Sequence, residues 1–364
     1  MLKLALPMPH VDASELERFS AALLAAGGVP ADEAQLVAES LVGANLRGHD
    51  SHGVMRVPYY LEFVREGRLV PGAPLRVVGE TPAALACDAG WGFGQVQCRR
   101  LIERLLPKAR ALGIACGTLS RSGHVGRVGE YAEQAAAAGL ATLALVNTHG
   151  AGPRVAPPGG KEARIGTNPL CVGIPTTGEP IVLDFGTSAV AEGKVRILRI
   201  AGKRCPEGWL IDSDGKPTTD PNVLYREPPG SILPMGAAQS YKGFGLGLVI
   251  DMLAGGLSGG MCAHPGAEPP LGNDALFVLL DPARLGGTEH FLKEVSGVSA
   301  YARSSPTVEG VAGILLPGDP ERRTRVERER RGIPLDPGNW ERLTDLAGRL
   351  GVPVPATRAE APGS

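Results

Sequence analysis

The sequence predicts a mixed α/β fold of the α+β type, and three features of the chain support this prediction. Apolar residues recur at helical spacing through about the first 70 residues, which indicates a helical unit. Short apolar strands then alternate with amphipathic helices through the middle of the chain. Two charged helices, expected at about 319–331 and 338–349, end the chain. Since 43% of the 364 residues are hydrophobic, the protein can bury a large core.

The helical unit begins at a capping box in residues 12–15 (Asp-Ala-Ser-Glu), where side chains satisfy the free N–H groups of a first turn. Its first helix is expected to end at Gly27 and Gly28. A second helix opens at Pro30, and a third is expected at about 54–66. A turn-rich link at 71–74 (Pro-Gly-Ala-Pro) ends the unit.

The middle of the chain is expected to alternate between strands and helices. Ser188 is placed to cap one of these helices, which ends near Ile200. Residues 153–160 are too rich in Pro and Gly for either element, and the polar stretch 205–233 is expected to be an excursion. The expected strands are 83–88, 113–119, 141–146, 169–175, 180–185, 276–281 and 313–317, and the expected helices are 94–111, 128–138, 188–200, 242–256 and 289–303.

Composition argues against several classes of partner and location. A net charge of −1 offers no basic field for nucleic acid or an anionic membrane. No apolar run approaches the roughly 18–20 residues that a bilayer span needs. Residues 1–6 stop at Pro7 without the apolar core and cleavage site of a signal peptide. The six cysteines form no CxxC pair, which favours reduced thiols and a cytoplasmic protein.

The densest polar stretch is residues 47–56 (Arg-Gly-His-Asp-Ser-His-Gly-Val-Met-Arg), expected to form a helix–loop–helix corner. His52 and Arg56 are four apart, so a helix starting near His52 would place both on one face. A histidine can supply the proton that the alkoxide needs after hydride reaches a carbonyl carbon. Arg56 suits the carboxylate of a 2-oxo acid because a guanidinium binds it with two hydrogen bonds. Ser51 is placed to orient the imidazole or to bind substrate.

Two other interpretations of this stretch are weaker. His49 and His52, completed by His124, His149 or a carboxylate, could hold a metal ion in a hydrolase, but no HExxH-type pattern is present. Asp50, Ser51 and His52 are adjacent in the chain and rarely converge as a triad, and no GxSxG elbow exists.

A nicotinamide cofactor usually leaves a GxGxxG fingerprint after a first strand, and this chain has no strict match. Residues 90–94 and 243–247 are GxGxG only. A dinucleotide therefore requires a fold other than the usual doubly wound one. Phosphate sites remain possible at the 184–188 turn, where backbone N–H groups and two hydroxyls could converge, at Lys242, and at the 316–320 turn.

Together these segments resemble the malate/L-lactate dehydrogenase family that is distinct from the Rossmann-type enzymes. That family includes ureidoglycolate, sulfolactate and diketogulonate oxidoreductases and a reductase of cyclic imino acids. The resemblance covers about residues 10–350 and rests on five motifs. They are Asp-Ser-His-Gly-Val at 50–54 with Arg56, Gly-Gly-Lys-Glu-Ala-Arg-Ile-Gly-Thr-Asn-Pro at 159–169, Asp-Phe-Gly-Thr-Ser at 184–188, Glu-Gly-Trp at 207–209 and Leu-Pro-Gly-Asp-Pro-Glu at 316–321.

The resemblance implies a helical domain beside a large, mainly antiparallel sheet domain, and a homodimer with the cofactor near the subunit boundary. It implies that His52 is the proton donor, that Arg56 holds the substrate carboxylate, and that His124 is a second active-site histidine. Thr167 would lie near the substrate. The implied NAD or NADP contacts are Asp184, Gly186, Thr187, Ser188, Lys242, Gly318, Asp319 and Pro320.

We therefore expect a cytoplasmic NAD(P)-dependent oxidoreductase that interconverts a small 2-oxo acid and its L-hydroxy acid. A reductase of a cyclic 2-imino acid is the alternative within the family, and a metal-dependent hydrolase the alternative outside it. The expected domains are a helical one, 1–75 with 319–352, and a sheet-containing one, 76–318. Residues 353–364 are expected to be a frayed tail.

Overall fold

The computed structural model describes residues 8–266, 270 and 272–358. The expectation about a signal peptide falls on residues 1–6, which lie outside this range, as does the end of the expected tail, 359–364. Before that end, Arg358 pairs with His10 through two backbone hydrogen bonds of 3.2 and 2.8 Å. Within the described ranges, every helix is too short or too polar to cross a membrane.

Helices cover the first and last parts of the chain and connect the strands between them. The first begins as the capping pattern predicts, because the Asp12 carboxylate accepts from the N–H groups of Ser14 and Glu15. The helices are α1 (Ala13–Ala26), α2 (Ala31–Leu46), α3 (Val57–Arg65), α4 (Gly94–Leu112), α5 (Gly129–Ala137), α6 (Glu192–Ile200), α7 (Ser240–Asp251), α8 (Thr288–Arg303), α9 (Asp319–Arg331) and α10 (Pro337–Leu350).

The described residues form twelve strands in three sheets. They are β1 (His10–Val11), β2 (Arg76–Glu80), β3 (Ala84–Asp88), β4 (Ile114–Ser122), β5 (Ala141–Val146), β6 (Pro169–Ile174), β7 (Ile181–Gly186), β8 (Leu210–Ile211), β9 (Pro217–Thr218), β10 (Ser231–Ile232), β11 (Asn273–Leu280) and β12 (Ile333–Pro334). The largest sheet has seven strands in the order β2-β3-β4-β11-β5-β6-β7. Only β3 and β4 run parallel within it, so the expected mainly antiparallel α/β fold is confirmed.

Three local expectations were wrong and one strand was missed, each for a physical reason. Residues 313–317 form no strand, because the Leu316 N–H bonds to the Asp319 carboxylate, 2.8 Å away, and not to a neighbouring strand. Ser188 caps no helix, since its hydroxyl donates to the Val190 carbonyl and α6 begins only at Glu192. Residues 120–122 belong to β4 and not to a loop. The edge strand β2 was missed because all five residues are exposed and its apolar pattern is weak.

The apolar core is divided between the helical segments and the sheet. One cluster joins α1, α2 and α3 to α10, with Leu16, Leu41 and Leu343 among its buried members. Another lies between the seven-stranded sheet and helices α4 and α5, with Leu101 and Phe277 inside it. A smaller cluster lies under α6 and the three-stranded sheet β10-β8-β9. Segments from all three regions meet where the polar corner lies.

Candidate active site

The corner at 47–56 is held in place by buried and partly buried hydrogen bonds. The Asn45 side chain accepts from the Val54 N–H at 2.8 Å and donates to Asp50 at 2.6 Å. Arg328 of α9 binds the Asp50 carboxylate with two bonds of 2.6 and 3.0 Å. Asp50 is therefore the anchor of the corner, a role that the sequence pattern did not assign.

The spacing of His52 and Arg56 predicted that both lie on one helix, and this prediction was wrong. Gly53 separates two short 3-10 turns, Asp50–His52 and Val54–Arg56, and α3 starts after them. The Arg56 Nε donates to the Ser51 carbonyl at 2.7 Å, which fixes the guanidinium beside the second turn. Gly193 of α6 packs directly against Ser51, since a Cβ at position 193 would lie 2.5 Å from the Ser51 Cβ.

A chain of hydrogen bonds runs behind His52. The Gln95 amide nitrogen donates to the Tyr60 hydroxyl at 2.9 Å, and the Tyr60 oxygen lies 2.8 Å from His124 Nδ1. His124 Nε2 lies 3.2 Å from His52 Nδ1, and the two imidazole rings are stacked with centroids 5.1 Å apart. His52 is thus oriented by His124. Of the two roles predicted for Ser51, orienting the imidazole or binding substrate, this geometry leaves substrate binding as a proposal. His52 Nε2 is the ring nitrogen that this chain leaves available.

Both histidines are held in the neutral form. Burial lowers the pKa of His52 to about 3, and the positive charges of Arg56, His49 and Arg127 add to this shift. Burial, then the charges of Arg56 and His52, lowers the pKa of His124 well below its usual value. Burial raises the pKa of Tyr60 to about 12, so its hydroxyl keeps its proton. At neutral pH the chain of donors and acceptors carries no charge.

These neutral histidines make stability depend on pH. The unfolded chain takes up protons below about pH 6.5, whereas folded His52 and His124 do not. We therefore expect the free energy of unfolding to fall as pH drops below about 6.5, by at most about 1.4 kcal/mol per pH unit for each histidine. Urea unfolding at several pH values measures the slope. A His124→Gln variant should lose about half of it, and an unchanged slope would contradict the assignment.

The corner opens into a cavity of about 500 Å³, here called the histidine cavity. This volume lies in the range of small-molecule sites. The walls bring together five of the predicted substrate-site or catalytic side chains, namely Ser51, His52, Arg56, His124 and Thr167. The remaining walls include Asn147, Arg154, Glu192, Arg196, Tyr225 and Asn273.

A second cavity of about 330 Å³, here called the arginine cavity, lies beside the first. Its walls include four arginines, which are Arg47, Arg127, Arg322 and Arg325. They also include four acidic residues, Glu133, Glu179, Asp184 and Glu321, together with His49 and Gly318. Burial lowers the pKa of Arg47, and the nearby positive charges of Arg127 and Arg325 act in the same direction. Asp184 accepts a 2.7 Å hydrogen bond from the N–H of Gly129, at the start of α5.

Two chain segments line both cavities and so connect them. In the corner, Arg47 and His49 face the arginine cavity, whereas Ser51, His52 and Arg56 face the histidine cavity. In the loop after β4, Arg127 lines the arginine cavity and its neighbours Gly126 and Val128 line the other. A ligand longer than either cavity could therefore lie along both.

Most of the segment expected to bind the cofactor is not at either cavity. The hydroxyl of Thr187 donates to the carbonyls of Thr167 and Asn168, so it and Ser188 serve the loop and do not converge on one spot. Lys242 is exposed on α7, near the ring of Tyr241. Among the predicted cofactor contacts, Asp184 and Gly318 line the arginine cavity, and Gly186, Thr187, Ser188, Lys242, Asp319 and Pro320 line neither.

The two other histidines weighed as metal ligands at the corner, His49 and His149, have local partners. His149 is buried, and its Nδ1 lies 2.8 and 2.9 Å from the two carboxylate oxygens of Asp274. His49 Nε2 lies 3.5 Å from Glu321 of α9. Within the described part of the chain, no three His, Cys, Asp or Glu side chains are grouped so that they could hold a metal ion. The metal-dependent alternative therefore has no geometric support there.

Sequence reasoning missed several residues of the site. Tyr60 was counted among the apolar positions of α3, although its spacing of four from Arg56 could have placed it beside the corner. Gln95 lies inside α4 and carried no signal. Asn273 starts β11, and its side chain accepts from the Val125 N–H at 3.0 Å and donates to the Asn147 carbonyl at 2.6 Å. These bonds position the His124 loop across more than a hundred residues of sequence.

Comparison with known proteins identifies the family. The family model described as malate/L-lactate dehydrogenase matches residues 11–344. Hydroxycarboxylate dehydrogenase B of Escherichia coli K12 is 37% identical over 353 residues, 96% of this chain and 96% of that protein. L-lactate dehydrogenase of Cupriavidus necator is 38% identical over 339 residues, 92% and 95% of the two chains. The solved structure of sulfolactate dehydrogenase from Methanocaldococcus jannaschii matches with a TM-score of 0.83 and 31% identity, covering 94% of this chain and 98% of that one.

These matches extend over nearly the whole chain and include its fold as well as its sequence. The relatives are named as dehydrogenases of hydroxycarboxylates, lactate and sulfolactate. The recognition that rested on five sequence motifs is confirmed. The chain belongs to the malate/L-lactate dehydrogenase family, a family of oxidoreductases.

Proposed function

We propose that the protein is an NAD(P)-dependent dehydrogenase that interconverts a small 2-hydroxy acid and the corresponding 2-oxo acid. One observation carries this proposal. Neutral His52, oriented by His124, and the partly buried guanidinium of Arg56 face the same cavity. An acid–base group next to a carboxylate-binding group is what the chemistry of a 2-hydroxy acid requires.

In this proposal His52 moves the proton of the substrate hydroxyl. With the Gln95 amide nitrogen donating, Tyr60 donates to His124 Nδ1, and His124 Nε2 donates to His52 Nδ1. Neutral His52 then carries its own proton on Nε2. It can give that proton to an alkoxide while the His124 Nε2 proton passes to His52 Nδ1 and the Tyr60 proton passes to His124 Nδ1. The negative charge thereby moves to the Tyr60 oxygen, which accepts from the Gln95 amide nitrogen. The nicotinamide, when bound, would supply or accept the hydride.

The same hydrogen-bond chain suits the oxidation of the hydroxy acid when every donor and acceptor along it exchanges roles. The buried Gln95 Oε1 has no hydrogen-bond partner, so turning the amide would let it accept from Tyr60. Tyr60 would then accept from His124, and His124 from His52 Nδ1. His52 Nε2 would be left as a base for the hydroxyl proton. Neither direction requires a charged histidine before the reaction.

Arg56 is proposed to bind the substrate carboxylate. Its Nε is used by the Ser51 carbonyl, which leaves the terminal nitrogens as the donors for a carboxylate. Thr167, another wall residue of the histidine cavity, would contact the substrate as the family resemblance suggests. Both contacts would hold the reacting carbon close to His52.

The arginine cavity is proposed to hold the phosphate-bearing part of the dinucleotide. Its four arginines offer guanidinium donors to phosphate oxygens, and its four carboxyl groups offset the charge of those arginines while no phosphate is bound. Gly318 has a φ of +91°, and a Cβ there would lie 2.8 Å from the Arg322 guanidinium, so only glycine leaves this wall open. These features fit a dinucleotide, with Asp184 and Gly318 as its proposed contacts.

The expected homodimer is also kept as a proposal. Helix α7 and the π-helical segment Met252–Gly256 that follows it expose large apolar side chains, including Tyr241, Val249 and Met252. A second copy would remove this surface from water. Sedimentation velocity measures the mass directly, and a monomer at micromolar concentration would refute a stable dimer.

The reaction is tested by following oxidation of NADH and NADPH with pyruvate, oxaloacetate and a cyclic 2-imino acid in parallel. We expect turnover with at least one 2-oxo acid. We also expect the fluorescence of the reduced cofactor to change when it binds the protein. Turnover only with the cyclic imine would replace the proposal with the alternative reductase. Cofactor binding without turnover on any substrate would refute it.

Tyr60→Phe tests the hydrogen-bond chain. The change removes the hydroxyl that orients His124, and we expect kcat to fall about 3- to 10-fold with a shifted pH profile. Tyr59→Phe is the matched control, because the Tyr59 hydroxyl accepts from Arg342 at the exposed side of α3. Equal kinetics and an equal pH profile in both variants would remove Tyr60 from the mechanism.

A further inference from the structure

Arg196 of α6 is a wall residue of the histidine cavity that the proposed reaction does not use. Its Nε and one terminal nitrogen, Nη2, are buried and have no hydrogen-bond partner. A buried guanidinium nitrogen without an acceptor is costly, since it has lost water and gained nothing in exchange. These two nitrogens of Arg196 therefore require a hydrogen-bond acceptor, which a bound ligand would supply.

The neighbours of Arg196 do not supply that acceptor. Glu192 lies one helical turn before Arg196 and is the cavity-wall carboxylate nearest to it in sequence. The Glu192 carboxylate accepts from the Tyr225 hydroxyl at 2.5 Å. The next arginine on α6, Arg199, is satisfied differently: its guanidinium lies 4.1 Å above the Tyr225 ring and its Nε bonds to Asn222. Arg196 thus differs from Arg199 in facing the cavity without a partner.

The charges of the histidine cavity favour a ligand with two negative groups. Its ionised wall residues are three arginines, Arg56, Arg154 and Arg196, and one glutamate, Glu192. The two histidines are neutral, so the walls carry an excess of two positive charges. Arg196 also lies close enough to Arg56 to lower the pKa of that guanidinium, after the larger effect of burial. A single carboxylate on Arg56 would leave one positive charge unmatched.

We propose that Arg196 binds a second anionic group of the substrate, so that the enzyme prefers 2-hydroxy acids bearing a further carboxylate or sulfonate over simple monocarboxylates. This inference rests on the proposed function and adds a substrate class to it. The 2-carboxylate lies on Arg56, the reacting carbon faces His52, and the second anion accepts from Arg196. Glycine at position 193 lets α6 approach Ser51 closely, and both arginines line the same cavity.

The test compares kcat/KM for four L-2-hydroxy acids with the full-length enzyme: malate, 3-sulfolactate, lactate and 2-hydroxybutyrate. The first two carry a second anion, as a carboxylate or a sulfonate, and the last has similar length without it. We expect malate or sulfolactate to exceed both monoanions by at least about 10-fold, the lower range for a hydrogen bond to a charged group. The better of the two identifies the anion.

Arg196→Met is the decisive variant. We expect the ratio of kcat/KM for the better dianion to that for 2-hydroxybutyrate to fall about 10- to 100-fold. Arg196→Lys keeps the charge without the fork of donors and should retain an intermediate ratio. Lys194→Met is the matched control, because it removes one positive charge from the exposed side of the same helix. Its ratio should equal that of the wild type.

The outcomes separate this inference from the proposed function. Turnover of lactate or 2-hydroxybutyrate at least equal to that of both dianions overturns the role of Arg196 and leaves the dehydrogenase intact. An unchanged ratio in Arg196→Met, or an equal fall in Lys194→Met, does the same. If Arg196→Met fails to fold, the wild-type ratio and Arg196→Lys still decide. Absence of turnover with all four acids and their 2-oxo forms refutes the proposed function itself.

Discussion

Replacing His52 with alanine is expected to lower kcat about 10²- to 10⁴-fold, the range that a positioned acid–base group contributes. The reason is geometric. His52 is oriented by His124 through a 3.2 Å contact, and it faces the cavity in which Arg56 also lies. Without the imidazole, the substrate proton must move through water, whose pKa is poorly matched to the step. Steady-state kinetics in both reaction directions measures the loss.

The control for this variant is His290→Ala, which removes an exposed histidine from α8. Cofactor affinity in His52→Ala should stay near that of the wild type, because the arginine cavity is lined by other residues of the corner. Circular dichroism and thermal unfolding show that the variant is folded. Near wild-type kcat in a folded His52→Ala enzyme would mean that another group transfers the proton.

Replacing Arg56 with alanine is expected to lower kcat/KM about 10²- to 10³-fold, the loss that follows from truncating one partner of a buried charge pair. The carboxylate of the substrate would enter the site without its main partner, so KM should rise. Because Arg56 also positions the reacting carbon, kcat should fall as well. Initial rates over a wide range of substrate concentrations separate the two effects.

Arg56→Lys restores the charge but not the pair of parallel donors, and we expect it to recover only part of the loss. Arg65→Ala, at the exposed end of α3, the helix that follows Arg56, is the control for removing a nearby positive charge. Arg56→Ala also frees the Ser51 carbonyl, so its unfolding free energy must be measured beside its kinetics. Unchanged kcat and KM in the alanine variant would place Arg56 outside the site.

Much of the fold could be predicted because local signals and global packing agree. The capping pattern at Asp12, the opening of α2 after Pro30 and the apolar run of β5 all lie where the sequence places them. The false strand at 313–317 shows the limit of such reasoning. An apolar run is ambiguous when the backbone partners come from distant side chains, as Asp319 does for Leu316.

The candidate site was predictable only in part, for a related reason. His52 and Arg56 could be recognised because they are close in sequence and chemically paired. Tyr60 offered only its spacing of four from Arg56. Gln95 and Arg196 offered no signal, since their importance arises from contacts across the fold and from missing partners. The spacing argument also placed His52 and Arg56 together through the wrong local structure, because two 3-10 turns separated by Gly53 replace the expected single helix.

The position of α6 has a consequence for how this enzyme could change during evolution. The histidine chain and Arg56 belong to segments packed around the helical core and β4, whereas α6 packs on its own small apolar cluster. If Arg196 selects the substrate as proposed, substitutions on the cavity side of α6 other than at Gly193 would alter which acid is accepted without disturbing proton transfer. A lineage could retune its substrate by exchanging one nine-residue helix. Directed libraries restricted to α6 are the corresponding route for engineering new specificities.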